Sequence, residues 1–274
     1  MSGFRASAAF TSDWQHFDYS EADGVATVTF SRPDKLNALT FDVYADLRDL
    51  LGELPHRDVD VLVIAGQGRG FCSGGDVEEI IGELAKFDSR QLLDFTRMTG
   101  EVVEAMRTCP VPIIASINGT TAGAGAVIAL AADFRIAVDK ARFHFLFTKV
   151  GLSGGDMGSA YLLPRMVGVG RATEILMFGD PVDAARALEI GLVNQVVPAD
   201  ELAAATTALA GRLASGPTFA YAATKTLITR EQDMDLGGSI ELEAMTQALL
   251  MTTADHAEFL ASFRQKRDPE WTGR

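Results

Sequence analysis

A lone carboxylate, Asp156, stands inside Gly151-Leu-Ser-Gly-Gly-Asp-Met-Gly158, a glycine-rich stretch with no other charge. Two uses compete for it. Poor solvation raises a carboxyl pKa toward the range in which the group gives and takes protons. An aspartate just ahead of the helical run from about Gly158 to Val167 is also a natural N-cap, and the motif alone favours the cap. The same stretch spells G-x-S-x-G at 151–155, the pattern of a hydrolase nucleophile elbow with Ser153 as nucleophile. That chemistry needs a later histidine on a loop after a strand. The histidine downstream, His256, falls within the helical periodicity of Ala254 to Phe263, so a Ser-His triad is not expected.

Two glycine loops offer main-chain donors instead. Gly66-Gln-Gly-Arg-Gly-Phe-Cys-Ser-Gly-Gly-Asp76 follows the apolar run Val61 to Ala65 and leads into Val77-Glu-Glu-Ile-Ile81. Asn118-Gly-Thr-Thr-Ala-Gly-Ala-Gly-Ala126 follows Ile113 to Ile117 and opens a small-residue helix. N–H groups at a helix start collect partial positive charge and hold anions. Neither loop ends in the Gly-Lys-Ser/Thr of a nucleotide P-loop, and Gly66-x-Gly68-x-Gly70 lacks the dinucleotide rhythm. Each alone is equally a tight turn or a close helix packing. Two such strand, loop and helix units together supply what an oxyanion hole requires, two convergent N–H donors. At the far end Phe263-Arg-Gln-Lys-Arg267 pairs an aromatic ring with cations, suited to stacking on a base and pairing a phosphate, or simply to complementing a helix dipole.

The elements that must position these groups are legible as alternation. Val25 to Phe30, Val61 to Ala65, Ile113 to Ser116 and Phe134 to Val138 read as strands. Phe41 to Leu54, Arg90 to Arg107 and Ala122 to Ala132 read as helices between them, the pattern of parallel strands with crossover connections. From about Asp200 the pattern turns wholly helical, with breaks at Gly216-Pro217 and Gly237-Gly238. The chain of 274 residues divides into an α/β core over 1–199 and a helical region over 200–274.

A net charge of −13 argues against a nucleic-acid surface, which needs clustered Lys and Arg. The longest small-and-apolar run, Ala122 to Ala132, is too short for a bilayer span, and the first residues lack a secretory h-region, so a cytoplasmic protein is expected. Two cysteines and four histidines without metal-ligand spacing predict neither disulfide nor structural metal.

Together these residues resemble the enoyl-CoA hydratase/isomerase, or crotonase, superfamily. The resemblance runs through Ser31-Arg-Pro-Asp-Lys-Leu-Asn-Ala-Leu39, Gly70-Phe-Cys-Ser-Gly-Gly-Asp76, Ile117-Asn-Gly119 and Ala131-Ala-Asp-Phe-Arg-Ile136. It continues in Leu163-Pro-Arg-Met-Val-Gly168, Ala184 to Val197 and Phe263 to Arg267. It implies a spiral of ββα units, a C-terminal helical region that trimerises and covers the active site, and a homotrimer or dimer of trimers. The implied substrate is an acyl-CoA thioester, with no cofactor beyond the coenzyme A that the substrate carries. The family's two oxyanion donors map onto Gly75 and Ala124. The CoA end maps onto the turn from Arg32 through Lys35 to Asn37, and onto Ser73, Gly74, Asp76 and Val77. Phe263 and Lys266, from a neighbouring subunit, map onto the adenine end.

Where hydratases carry two glutamates, this sequence has Val127 and Phe147, which transfer no proton and would line an apolar acyl pocket. Asp156 matches the catalytic aspartate of the family's dienoyl-CoA isomerases and chlorobenzoyl-CoA dehalogenases, which makes it the expected acid/base, with a nucleophile on the acyl group as the alternative role. Glu101 and Glu104 are either a second carboxylate or a solvated helix face. The expected activity is an enoyl-CoA hydratase or isomerase. The alternatives are another reaction of the superfamily (thioester hydrolysis, C–C cleavage, dehalogenation) or a protein that binds acyl-CoA without turning it over.

Overall fold

The computed structural model describes residues 13–273. In chain order the elements are β1 (Asp18–Ala22), β2 (Val25–Phe30), α1 (Phe41–Glu53), β3 (Val61–Gly66) and β4 (Gly70–Cys72). A π-helical turn, Val77–Ile81, runs into α2 (Gly82–Leu84), followed by α3 (Ser89–Thr108), β5 (Ile113–Ile117), β6 (Thr120–Ala122) and α4 (Ala124–Ala131). Then come β7 (Phe134–Val138), β8 (Arg142–His144), α5 (Ser159–Val167), α6 (Val169–Phe178), β9 (Val182–Asp183), α7 (Ala184–Glu189) and β10 (Gln195–Val197). Four helices close the chain: α8 (Leu202–Ala214), α9 (Thr218–Glu231), α10 (Leu236–Leu250) and α11 (Ala254–Gln265).

The strands divide between two sheets in a regular way. One has the order β1-β2-β3-β5-β7-β10, the other β4-β6-β8-β9. Each successive pair, β3 with β4, β5 with β6, β7 with β8, puts its first strand in the large sheet and its second in the small one, and a helix then returns the chain. This is the expected spiral of ββα units. Pairing between the repeats is parallel throughout, and the antiparallel partners β1 and β9 sit at the sheet edges.

Burial follows the side-chain alternation of strands. Leu62 and Ile64 of β3 face the main core with Phe71, Ile113 and Met106, while Val61 and Val63 face the opposite side against Ala210 and Leu213 of α8. Helix α8 thus closes the outer face of the large sheet, and its Thr206 hydroxyl pairs with that of Ser116 at 2.9 Å. Side-chain caps set the starts of α1 and α3. The Thr40 hydroxyl accepts from the Val43 amide at α1, and Asp88 with Gln91 forms a reciprocal capping box at α3. Helix α4 is made of small apolar residues and is buried along its whole length.

Behind this core, Asp133 gathers two cations and a main-chain amide from three elements. Its carboxylate takes Arg107 at 3.0 Å, Lys225 at 2.8 Å and the Ile113 amide at 2.8 Å. Lys225 also donates to the Val111 carbonyl, so α9 is tied to the start of β5.

Candidate active site at the paired glycine loops

Strands β4 and β6 lie side by side, with Gly70 opposite Thr120 and Cys72 opposite Thr121, so the loops that follow them are neighbours. Both loops turn at a left-handed glycine, Gly74 at φ +97° and Gly123 at φ +51°. A side chain on Gly74 would meet the Ala122 carbonyl at 3.1 Å and the Ala124 nitrogen at 3.4 Å, so the two turns touch. Gly125 is held still tighter: a Cβ there would lie 2.4 Å from the Cys72 carbonyl oxygen. The first turn of α4 can approach the end of β4 only because residue 125 lacks a side chain.

Leu39 clamps the first loop, its amide donating to the Gly74 carbonyl at 2.8 Å and its carbonyl accepting from the Asp76 amide at 2.9 Å. The Gly74 amide points at the Cys72 sulfur, 3.4 Å away, and the Gly123 amide is bonded to the His144 carbonyl. Between these engaged neighbours, the amides of Gly75 and Ala124 have no acceptor among the described residues. Ala124 is the first residue of α4, where the helix has no acceptor of its own to offer. Two adjacent, uncommitted main-chain donors are thereby fixed in place by bonds on either side.

Asp156 is half-buried and does not cap α5. That helix starts at Ser159 with Gly158 before it and no side-chain cap. The local turn is locked by Ser159 instead, whose hydroxyl donates to the Gly154 carbonyl at 2.8 Å and accepts from the Asp156 amide at 3.1 Å. The carboxylate is left for other work. Burial pushes its pKa up from the ordinary 3.8, opposed only in part by the Met157 amide.

Tyr44, a residue the sequence reading passed over, belongs to the same region. An added methyl on Gly75 would stand 3.9 Å from its hydroxyl oxygen, and the charges of Cys72 and Asp156 both act on it. Its signal was a polar atom three residues after Phe41, on the face of α1 where helical spacing asks for an apolar side chain.

Of the two apolar residues expected to line the acyl pocket, Val127 is fully enclosed (0% exposed) and Phe147 keeps 8%. Val127 departs from that expectation. It sits in the middle of the all-buried helix α4 and presents no surface to a ligand, so it backs the site rather than lining it.

On the rim expected to take the CoA end, Arg32 reaches Asp76 at 3.1 Å and Glu79 at 2.6 Å, and donates to the Ala38 carbonyl at 2.8 Å. Asp76 accepts from the amides of Glu78 and Glu79, capping the π-helical turn. Although burial alone would raise its carboxyl, those two amides and then Arg32 hold it below the ordinary range. The Ser73 hydroxyl donates to the Lys35 carbonyl, and the Lys35 ammonium pairs with Glu78 at 2.9 Å. Val77 is 73% exposed on this rim. The structure therefore brings Arg32, Lys35, Ser73, Gly74, Asp76 and Val77 into one surface beside Gly75. No hydrogen bond or ion pair among the described residues joins Phe263 or Lys266 to it. Both are exposed at the end of α11, which is held by its own tail through Asp255 and Glu258.

Ser153 is exposed, follows a 3-10 helix rather than a strand, and accepts the Gly155 amide in a local turn. His256 lies on exposed α11, stacked with Phe259. Glu101 pairs with Arg48 at 3.4 Å, and with Glu104 it lines a groove of about 590 Å³ bordered by Met157 and Tyr161. A cavity of about 610 Å³ lies away from the glycine loops, between β7, α5, α8 and α9. Cys72 and Cys109 are free and buried, and burial raises the Cys72 thiol to about 12, which leaves it inert. Among the described residues no group of three or more His, Cys, Asp and Glu side chains is arranged to hold a metal ion.

A spiral of ββα units that presents two uncommitted amides at paired glycine turns defines a crotonase-type enzyme. Residues 20–274 match the enoyl-CoA hydratase/isomerase family, and the chain belongs to it. A solved structure of a candidate enoyl-CoA hydratase from Streptomyces coelicolor A3(2) superposes with a TM-score of 0.95 at 60% identity, covering 100% of both chains. A Rhodobacter capsulatus protein named a probable enoyl-CoA hydratase is 35% identical, over 93% of this chain and 97% of its own. The 1,2-epoxyphenylacetyl-CoA isomerase of Escherichia coli is 34% identical, over 92% and 96%. The protein is thus an acyl-CoA-transforming enzyme.

Proposed function

We propose that the enzyme relocates a proton on an enoyl-CoA thioester, with Asp156 as its single acid/base and the Gly75 and Ala124 amides as its oxyanion hole. Removing a proton beside a thioester pushes negative charge onto the carbonyl oxygen, and each preorganised donor at such an oxygen is worth about 3 to 4 kcal/mol. The observation that carries the reading is that these two amides are held by their neighbours yet have no acceptor among the described residues. One carboxylate suffices for isomerisation, because the proton it takes from one carbon can be returned to another. Syn hydration by two glutamates has no carboxylate at positions 127 and 147, which are Val127 and Phe147. A raised Asp156 pKa supports the shuttle, since the shift makes the carboxylate a stronger base and moves it toward balance between taking a proton and giving it back.

In this reading the surface of Arg32, Lys35, Ser73, Gly74, Asp76 and Val77 receives the nucleotide end of CoA, and Phe263 and Lys266 of a second copy close over the adenine in a trimer or a dimer of trimers. Phe147 bounds the acyl chain. Moving a proton changes no oxidation state, so the reading asks for no redox group beyond the thioester substrate. It assigns the enzyme to the cytoplasm, supported by two unpaired, buried cysteines and by the lack, among the described residues, of a helix long and apolar enough to cross a membrane.

The test is incubation with 3-enoyl- and 2-enoyl-CoA esters of several chain lengths. Growth of the conjugated 2-enoyl chromophore from a 3-enoyl ester is the expected result. Stoichiometric water addition to the 2-enoyl ester without any isomerisation would contradict it.

A further inference from the structure

From Gly151 to Ala160, the stretch that carries Asp156, only Met157 and Ser159 are buried. Ser159 fastens the turn with its hydroxyl. Met157 holds it by other means. Its backbone stands in the left-handed region at φ +50°, directly before Gly158 at φ +89°. Glycine adopts such a conformation freely, whereas the Cβ of a methionine is crowded there. In a segment that already has glycine at 151, 154, 155 and 158, glycine at 157 would be the unstrained choice. Strain at a non-glycine residue persists where its surroundings over-determine it, and such residues cluster at functional sites. The surroundings here are apolar. The Met157 side chain is 6% exposed, belongs to the main core, and lines the groove of about 590 Å³ together with Val103 and Leu162.

The same residue acts on the carboxylate. Burial raises the Asp156 carboxyl, and the Met157 amide, donating to it, offsets part of that rise. On the other side of the turn the Asp156 carbonyl accepts from the Ser159 amide at 2.9 Å. Without a buried side chain at 157, Asp156 would hang between Gly154-Gly155 and Gly158, tied down only through Ser159. Resting on the reading of Asp156 as the acid/base, we propose that Met157 is a positioning residue, whose buried side chain pins a strained left-handed turn and so holds the Asp156 carboxylate half-buried and aimed at the substrate. A displacement of about 1 Å at a reacting group is enough to cost up to about a hundredfold in rate.

The test is 3-enoyl-CoA isomerisation as a function of pH by the full-length wild type, Met157→Gly, Met157→Leu and Asp156→Asn. Met157→Gly relieves the strain but removes the anchor. It should lower kcat at least about tenfold with KM within about twofold. Its acid limb should move down toward the ordinary aspartate range, because burial outweighs the amide and a loosened carboxylate gains water. Met157→Leu keeps an apolar side chain of similar volume and should recover most of kcat and the wild-type acid limb. A side chain that merely held the fold together would lower the melting temperature and leave the acid limb in place. If Met157→Gly does not fold, Met157→Asn replaces it with the same expected results, since asparagine tolerates the left-handed backbone and brings no apolar anchor. Wild-type kcat or an unmoved acid limb in the folded variant would overturn the proposal, as would a Met157→Leu no better than that variant. Failure of both Met157→Gly and Met157→Asn to fold marks a side chain that holds the fold rather than the carboxylate, and overturns it too. Undiminished turnover by Asp156→Asn would overturn the reading of Asp156 itself, and the proposal with it.

Discussion

The role proposed for Asp156 rests on a neighbour. Ser159 takes over the hydrogen bonds of the turn, so the carboxylate is neither a cap nor part of an ion pair, and burial rather than any partner sets its pKa. Two outcomes follow from one substitution. Asp156→Asn should lower turnover by about 10² to 10⁴, the usual worth of a general acid–base group, measured by steady-state kinetics. The same change should raise the melting temperature at neutral pH. The sign comes from linkage: a carboxyl whose folded pKa lies above its unfolded value binds its proton more tightly when folded, so its ionisation removes stability as pH rises above the unfolded value. The stabilisation by Asp156→Asn should therefore fade below about pH 4, where Asp156 is protonated in both states. For the active enzyme, which uses the ionised base, the acid limb of the pH–rate profile should lie above the ordinary aspartate range.

Sequence reasoning finds Asp156, because a lone charge among glycines is visible, but its motif alone favours a cap, and only the family resemblance points to a base. That choice depended on which side chain closes the turn. The signature of Tyr44 was fainter still, a hydroxyl hidden in an apolar helix face.

At the level of elements, the site exists because α4 can touch β4. Gly125→Ala would place a methyl 2.4 Å from the Cys72 carbonyl, and since that atom is backbone, the two turns must part. Activity should fall about 10² to 10³, as for loss of one oxyanion donor, with turnover affected more than KM. The strand and helix alternation of the first half was readable from periodicity, and β2 and β7 fall on the expected residues. The three-residue strands β4, β6 and β8, which set the two loops side by side, were not, since three residues carry too little pattern to separate a strand from a turn. The convergence of the loops could be inferred only from their repetition.

The Asp133 cluster is an element-scale device of another kind. Asp133→Ala would leave Lys225, whose pKa burial already lowers against the pull of Asp133, without its counter-charge. Breaking a buried ion pair from one side costs about 3 to 5 kcal/mol. Urea denaturation should show a loss of that size and a loosened α9.

On the scale of the molecule, the last two helices leave much apolar surface that the chain itself does not cover. Helix α10 has no buried residue, with Leu236 at 76% and Met245 at 57% exposure, and Phe263 of α11 is 71% exposed. Apolar faces of this extent fit the trimer or dimer of trimers proposed above. Sedimentation should give three or six times the chain mass of 29.3 kDa. Ile240→Glu should shift the protein toward monomer and weaken CoA-ester binding, if Phe263 and Lys266 act across the interface. The helical character of the last quarter was plain from its spacing. What a sequence cannot show is which face meets another copy, because a stripe destined for a neighbour looks like one destined for the core.

The most direct test of the whole account is deuterium exchange into an enoyl-CoA ester in heavy water, followed by mass spectrometry, with the wild-type enzyme and Asp156→Asn side by side. The wild type is expected to introduce deuterium beside the thioester or at its vinylogous carbon, and the variant to do so at least about a hundredfold more slowly. Undiminished exchange by Asp156→Asn would contradict the assignment of the proton to Asp156.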